Sequence, residues 1–76
     1  MTELDLMDIF GNNLASILNE QGISQGELAY IAGLSKGTIS KYIHKQQLPN
    51  IRALINLSCV LEVDPTELLP FDELVE

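Results

Sequence analysis

Residues 25–44 read QGELAYIAGLSKGTISKYIH, and this stretch decides the fold because several geometric demands meet inside it. It holds two short apolar patterns at helical spacing, and each is preceded by a serine. Ser24 stands three residues before Glu27, the spacing of a capping box in which hydroxyl and carboxylate satisfy the N–H groups that a helix start leaves open. Ser35 is the N-cap of the second helix, and Gly33 lies between the two, tolerating the left-handed backbone angle of a tight turn. Helices joined so closely need a small residue where they cross, and Ala29 is small. Leu28, Ala32, Leu34, Ile39 and Tyr42 fill the other positions that a steep two-helix crossing buries. The second helix is expected over Lys36 to Lys45, with Ile39, Tyr42 and Ile43 inward and Lys36, Thr38, Ser40, Lys41 and His44 outward.

The flanks complete an all-α reading of five helices. Upstream, Leu6, Phe10, Leu14, Ile17 and Leu18 recur every three or four residues, so a first helix runs from about Leu4 to Gln21 and closes at Gly22. Gly11 weakens it by roughly 1 kcal/mol relative to Ala. Downstream, Leu48-Pro49 breaks the chain and Asn50 caps a fourth helix, in which Leu54, Leu57, Ser58 and Leu61 form a buried stripe broadened by Cys59 and Val60. Cys59 is read as a small buried apolar residue. Asp64-Pro65-Thr66-Glu67 opens a fifth helix with an Asp cap and Pro in its first turn; Leu68 and Leu69 face inward and Pro70 ends it. Residues 71–76 form an acidic tail whose Phe71, Leu74 and Val75 fall on one side of a helical turn.

Composition excludes several classes. At 76 residues the chain reads as one domain spanning residues 1–76, near the lower limit for a self-sufficient core. Its single cysteine offers neither a disulfide nor metal-ligand spacing, and neither a basic leader nor a membrane-length apolar run is present, so a cytoplasmic protein is expected. One His, one Cys, no phosphate-cradling glycine loop and no carboxylate pair beside a nucleophile leave no catalytic arrangement to assemble, so neither an enzyme, a cofactor nor a small-molecule substrate is expected. The net charge of −7 opposes binding to phosphates, but its distribution does not. Between Leu28 and Leu61 there is no Asp or Glu, and Lys36, Lys41, Lys45 and Arg52, the only basic side chains besides His44, all lie there. A locally cationic segment on an acidic chain is what a phosphate-facing surface leaves behind.

ISQGELAYIAGLSKGTISKYI, the later Pro49 and LEVDPTELL together resemble the lambda-repressor-like, Cro/C1-type (Xre family) helix-turn-helix proteins over about Leu14 to Leu69. The sequence departs from the family at Ile43-His44-Lys45, where many relatives carry an acidic residue and then a glycine. The resemblance implies a five-helix bundle whose second and third helices form the reading unit, a third helix lying in the major groove, and a homodimer on an inverted repeat of double-stranded DNA with half-sites roughly 34 Å apart. It implies that Gln25 touches a phosphate at a helix N-terminus. Lys36, Thr38, Ser40 and Lys41 would then reach base edges, with Gly37 permitting close approach. Lys45, Gln46, Gln47, Asn50 and, more remotely, Arg52 would hold the backbone, with His44 beside them. Dimer contacts would come from the fourth and fifth helices and the tail. The rival reading is an acidic helix-turn-helix adaptor, of antirepressor or antitoxin type, that binds a protein rather than DNA; it accounts for the net charge more directly, whereas DNA binding accounts for where the acids are missing.

Overall fold

In the computed structural model, which describes residues 2–74, the order of elements is α1 (Glu3–Gln21), α2 (Gln25–Ala32), α3 (Lys36–Ile43), α4 (Ile51–Leu61), α5 (Pro65–Leu68) and α6 (Phe71–Leu74). No strand occurs among the described residues. The all-α architecture is therefore the expected one, with α6 a single added turn that begins at an exposed Phe71. Val75, grouped with that tail in the sequence, lies outside the described residues. No described helix is long and apolar enough to cross a membrane, and no three metal-ligating side chains cluster among the described residues.

Each of the first five helices starts on a short polar side chain that accepts from a backbone N–H of its first turn: Thr2, Ser24, Ser35, Asn50 and Asp64. Such caps satisfy donors that the helix itself cannot pair. Thr2, Ser24 and Asp64 are completed as capping boxes by Asp5, Glu27 and Glu67. The Thr2 backbone N–H, and after it the Thr2 hydroxyl, hold the Asp5 carboxyl below the ordinary carboxylate range. The Thr66 hydroxyl and then its N–H do the same for Asp64.

The principal helix contacts close a ring: α1 on α3, α3 on α2, α2 on α4, α4 on α5, and α5 back on α1. Inside it lie Phe10, Leu14 and Leu18 of α1, Leu28, Ala29 and Ala32 of α2, Ile39 and Tyr42 of α3, Leu54, Leu57 and Leu61 of α4, and Leu68 of α5. Phe10 meets the Tyr42 ring edge to face, with centroids 5.4 Å apart and planes at 80°, a favoured aromatic geometry. Burial pushes the Tyr42 hydroxyl's pKa up.

Three side-chain amides lock this ring. Asn13 of α1 donates to the Leu68 carbonyl at 2.9 Å, Gln21 of α1 to the Leu61 carbonyl at 2.7 Å, and Asn56 of α4 to the Ala32 carbonyl at 2.7 Å. Each acceptor is the last residue of a helix, where carbonyls have no partner within the helix. The helix that packs alongside supplies the missing donor.

Two expectations need correction. Cys59 is exposed rather than buried. The buried arc of α4 is set by Leu54, Leu57, Ser58 and Leu61, and at 100° per residue Cys59 falls on nearly the opposite side. The third helix ends at Ile43, two residues earlier than expected. His44 leaves the helical run and Lys45 takes a left-handed angle, φ 62°. Its N–H donates to the Tyr42 carbonyl at 3.1 Å while the Gln46 N–H donates to the Lys41 carbonyl at 2.8 Å, the paired bonds of a Schellman closure.

Gly11 of α1 lies against this turn. It is buried in mid-helix, and a Cβ on it would lie 2.7 Å from the Tyr42 carbonyl oxygen, 3.0 Å from Lys45 Cγ and 3.2 Å from the Ile43 carbonyl oxygen. The backbone of α1 thus lies directly against the exit of α3. The helix-propensity cost of a mid-helix glycine is accepted because only glycine admits that approach.

Candidate nucleic-acid interface

The serine cap at Ser35 fixes the start of α3: its Oγ accepts from the Thr38 N–H at 3.0 Å and lies 2.8 Å from the Thr38 hydroxyl. Ile39 and Tyr42 then anchor the helix in the core. With those two inward, the 100° rotation per residue turns Gly37, Ser40, Lys41 and His44 outward and leaves Lys36 at the outer N-terminal edge. Lys36, Gly37, Lys41 and His44 are exposed and Ser40 is half-buried. A side chain at Gly37 would meet nothing nearer than Ser35 Oγ at 3.8 Å, so the protein's own packing does not require a glycine there. The bare backbone faces solvent.

The remaining sequence candidates divide. Thr38 is half-buried, and its hydroxyl is engaged with the cap, so it lies on the flank of the outward face. His44 Nδ1 lies 2.8 Å from the Ser40 carbonyl oxygen and 3.1 Å from Ser40 Oγ; since a carbonyl only accepts, Nδ1 carries the proton and the ring is pinned over the last turn of α3. Gln25 is half-buried at the first position of α2, beside the Ser24 cap. Gln46, Gln47, Asn50 and Arg52 are exposed along the connection into α4, where Asn50 Oδ1 is occupied by the Ala53 N–H at 2.8 Å. Lys45 is drawn the other way: its ammonium pairs with Asp8 of α1 at 3.0 Å. That leaves Lys36, Lys41 and Arg52 without an ion pair among the described residues. The face therefore presents cations and hydrogen-bonding side chains with no acid from α3 or the connection beside them.

Two supports hold that face in place. At the entry, Gly33 adopts φ 69° and closes α2, its N–H donating to the Tyr30 carbonyl at 3.3 Å and the Leu34 N–H to the Ala29 carbonyl at 2.9 Å. Asn56 pins the Ala32 carbonyl immediately before it. At the exit, Gly11 and Asp8 of α1 receive Lys45 and the last carbonyls of α3. The sequence reading left the roles of Asp8, Gly11 and Asn56 unassigned. Gly11 carried a usable signal, since a glycine on the same helical face as Leu14 and Leu18 marks a close helix crossing.

Residues 14–68 match the helix-turn-helix family. The chain belongs to that family. The matched helix-turn-helix segment runs from the middle of α1 to the end of α5, and the face described above is the outer side of its second short helix. No curated protein matches the chain. Among solved structures, the restriction-modification controller protein C.AhdI from Aeromonas hydrophila superposes with a TM-score of 0.79 at 25% identity, over 83% of this chain and 96% of its own. A hypothetical transcription factor, NHTF, from Neisseria superposes with a TM-score of 0.82 at 26% identity, over 97% of this chain and 87% of its own. A helix-turn-helix family transcriptional regulator from Vibrio cholerae gives 0.85 at 21% identity, over 93% of this chain and 40% of its own, a likeness of fold.

Proposed function

We propose that this helix-turn-helix protein is a sequence-specific DNA-binding transcription regulator, of repressor type, acting in the prokaryotic cytoplasm or nucleoid, that lays α3 in the major groove of an inverted-repeat operator. The observation that carries the reading is the outer face of α3, where Lys36 and Lys41, exposed and without an ion pair among the described residues, flank Gly37 and Ser40 and no acidic side chain interrupts the helix. Lysine ammonium groups match the guanine acceptors of the major groove, and a hydroxyl matches several base edges. Lys36, Gly37, Ser40 and Lys41 are the base-facing set, with Thr38 at its margin. Gln25, Gln46, Gln47, Asn50 and Arg52 line its borders as phosphate contacts, with His44 at the helix end. Lys45 joins them only by leaving Asp8. The family membership and the transcription regulators named among the structural neighbours support the same reading. Binding of this kind draws on the chain's own side chains and calls for no cofactor. With so few free cations, the salt dependence of binding is shallow and base contacts carry much of the affinity.

The test is selection of bound duplexes from a random library at low salt, in parallel with a Lys36→Ala, Lys41→Ala double variant. The wild type enriches an inverted repeat, and the double variant loses about 1–3 kcal/mol of discrimination at each affected base pair. A library that stays unenriched with both proteins rejects DNA readout and turns attention to a protein partner for the same face.

A further inference from the structure

The turn between α2 and α3, the end of α3 and the first turns of α4 surround an open cleft of about 570 Å³ that includes none of the base-facing set. That volume lies within the range of small-molecule sites. Leu34, Ala53 and Ile55 give the cleft apolar walls, and Tyr42, Arg52 and Asn56 bring polar groups to it. Tyr42 is only 3% exposed, and its hydroxyl has no hydrogen-bond partner among the described residues. No side-chain oxygen or nitrogen among those residues is both sealed from solvent and unpaired, so the hydroxyl is the part of this buried side chain that opens on the cleft. Polar groups this deep are ordinarily paired within the protein. Asn56 gives one amide N–H to the Ala32 carbonyl at 2.7 Å, which orients the amide and leaves its own Oδ1 unpaired among the described residues. Arg52 is exposed and, among the described residues, carries no ion pair.

We infer that this cleft binds a small hydroxylated aromatic carboxylate, its carboxylate on Arg52, its ring between Leu34, Ala53 and Ile55, and its hydroxyl between Tyr42 and Asn56. Each part of the ligand answers a group on the wall. The guanidinium fork matches a carboxylate in plane and can hold both of its oxygens. One cation on a chain of net charge −7 suits a monoanion better than a dianionic phosphate. Burial keeps the Tyr42 hydroxyl protonated, so it donates, while Asn56 Oδ1 only accepts; a hydroxyl is the group that takes the first bond and makes the second. The ligand is bound and released unchanged. Arg52 is also the remote phosphate contact of the regulator reading, so a carboxylate seated on it withdraws that contact from DNA. This consequence rests on that reading; the site itself does not.

The test is titration of the full chain with meta- and para-hydroxybenzoate, followed by proton–nitrogen correlation spectra, with benzoate and para-hydroxybenzamide as controls. In the wild type at least one hydroxybenzoate gives saturable shifts at Gly33, Leu34, Ile55 and the Asn56 side-chain amide, with a dissociation constant of about 1 mM or below. Arg52→Ala weakens that carboxylate by about tenfold or more and leaves the neutral amide unchanged. Tyr42→Phe keeps the buried ring, and thus the fold, and removes the preference for hydroxybenzoate over benzoate. No saturable shift with either hydroxybenzoate, an amide that binds as tightly as the acid, or an Arg52→Ala variant that binds undiminished overturns the inference. So do shifts at the same residues that grow with protein concentration alone, which would give the cleft to a second copy of the chain. In a second arm, the duplex enriched by selection is released as the hydroxybenzoate saturates the cleft; unchanged duplex affinity at saturation overturns the competition for Arg52. The first titration contains no DNA, so a chain that binds no duplex fails the regulator reading without touching the site.

Discussion

The entry to α3 and its exit are closed by the same pair of backbone hydrogen bonds around a left-handed residue, but the entry uses Gly33 and the exit Lys45. At Gly33 nothing lies within 4 Å of where a Cβ would be, so glycine is there for its backbone angle alone. At Lys45 the chain accepts a side chain in a region costing such residues about 1 kcal/mol or more. There the side chain has neighbours, with its Cγ against Gly11 and its ammonium on Asp8. The position glycine would occupy most easily has been given to a residue that ties α3 to α1, and the glycine stands across the contact, in α1. A helix held at both ends by different helices is fixed relative to the core, which is what the base-edge contacts proposed for α3 would require.

The largest effect that separates these two ends is expected from Gly11→Ala. The added methyl meets the Tyr42 carbonyl oxygen at 2.7 Å, and a backbone atom cannot swing aside. Overpacking of this kind costs about 1–3 kcal/mol, more than the roughly 1 kcal/mol that alanine contributes as a better helix former. Because the contact is with backbone, the cost falls in the upper part of that range, and a net loss of about 1–2 kcal/mol, read from the urea midpoint, is predicted despite the improved helix propensity. An unchanged or raised midpoint would mean that α1 does not press on the α3 exit. Gly33→Ala follows. With open space around it, its cost is the backbone angle alone, about 1–2 kcal/mol. Asn56→Ala comes third: it strips the Ala32 carbonyl of its donor at 2.7 Å, a loss of about 1 kcal/mol. Hydrogen exchange of the last turn of α2 should quicken in that variant and not at the α3 exit.

These contrasts also show what was legible without coordinates. Ser24, Ser35, Asn50 and Asp64 announced helix starts because capping is local, settled within three residues. The buried stripes of α1 and α4 were equally readable, since periodicity belongs to one helix at a time. Gly33 marked its turn for the same reason. The exit of α3 was not readable, because no glycine stands at position 45 and the residues that make the turn tolerable, Asp8 and Gly11, lie far back in the chain. Cys59 was misplaced because apolar character was taken for burial, whereas the arc from Leu54 to Leu61 already leaves it outside. For the candidate site, the outward set of Lys36, Ser40 and Lys41 came from spacing alone. The cap that engages Thr38 and the ion pair that diverts Lys45 depend on side-chain geometry that spacing does not contain.

The smallest effect is the most direct test of why lysine stands at the exit. Lys45→Gly removes the backbone cost of a left-handed non-glycine residue, about 1 kcal/mol. It also removes the Lys45–Asp8 pair, whose side chains are 40% and 58% exposed; a pair so open to solvent contributes about 0.2–1 kcal/mol. The two terms oppose, so stability read from the urea midpoint should move by no more than about 0.8 kcal/mol in free energy. Asp8→Ala isolates the second term: it should destabilise slightly at low salt, and the difference should fade as added salt screens an exposed pair. If stability were the reason for lysine, Lys45→Gly would be clearly destabilising. If the reason is the end of α3 itself, the glycine variant keeps its stability while its outermost turn exchanges amide hydrogens faster.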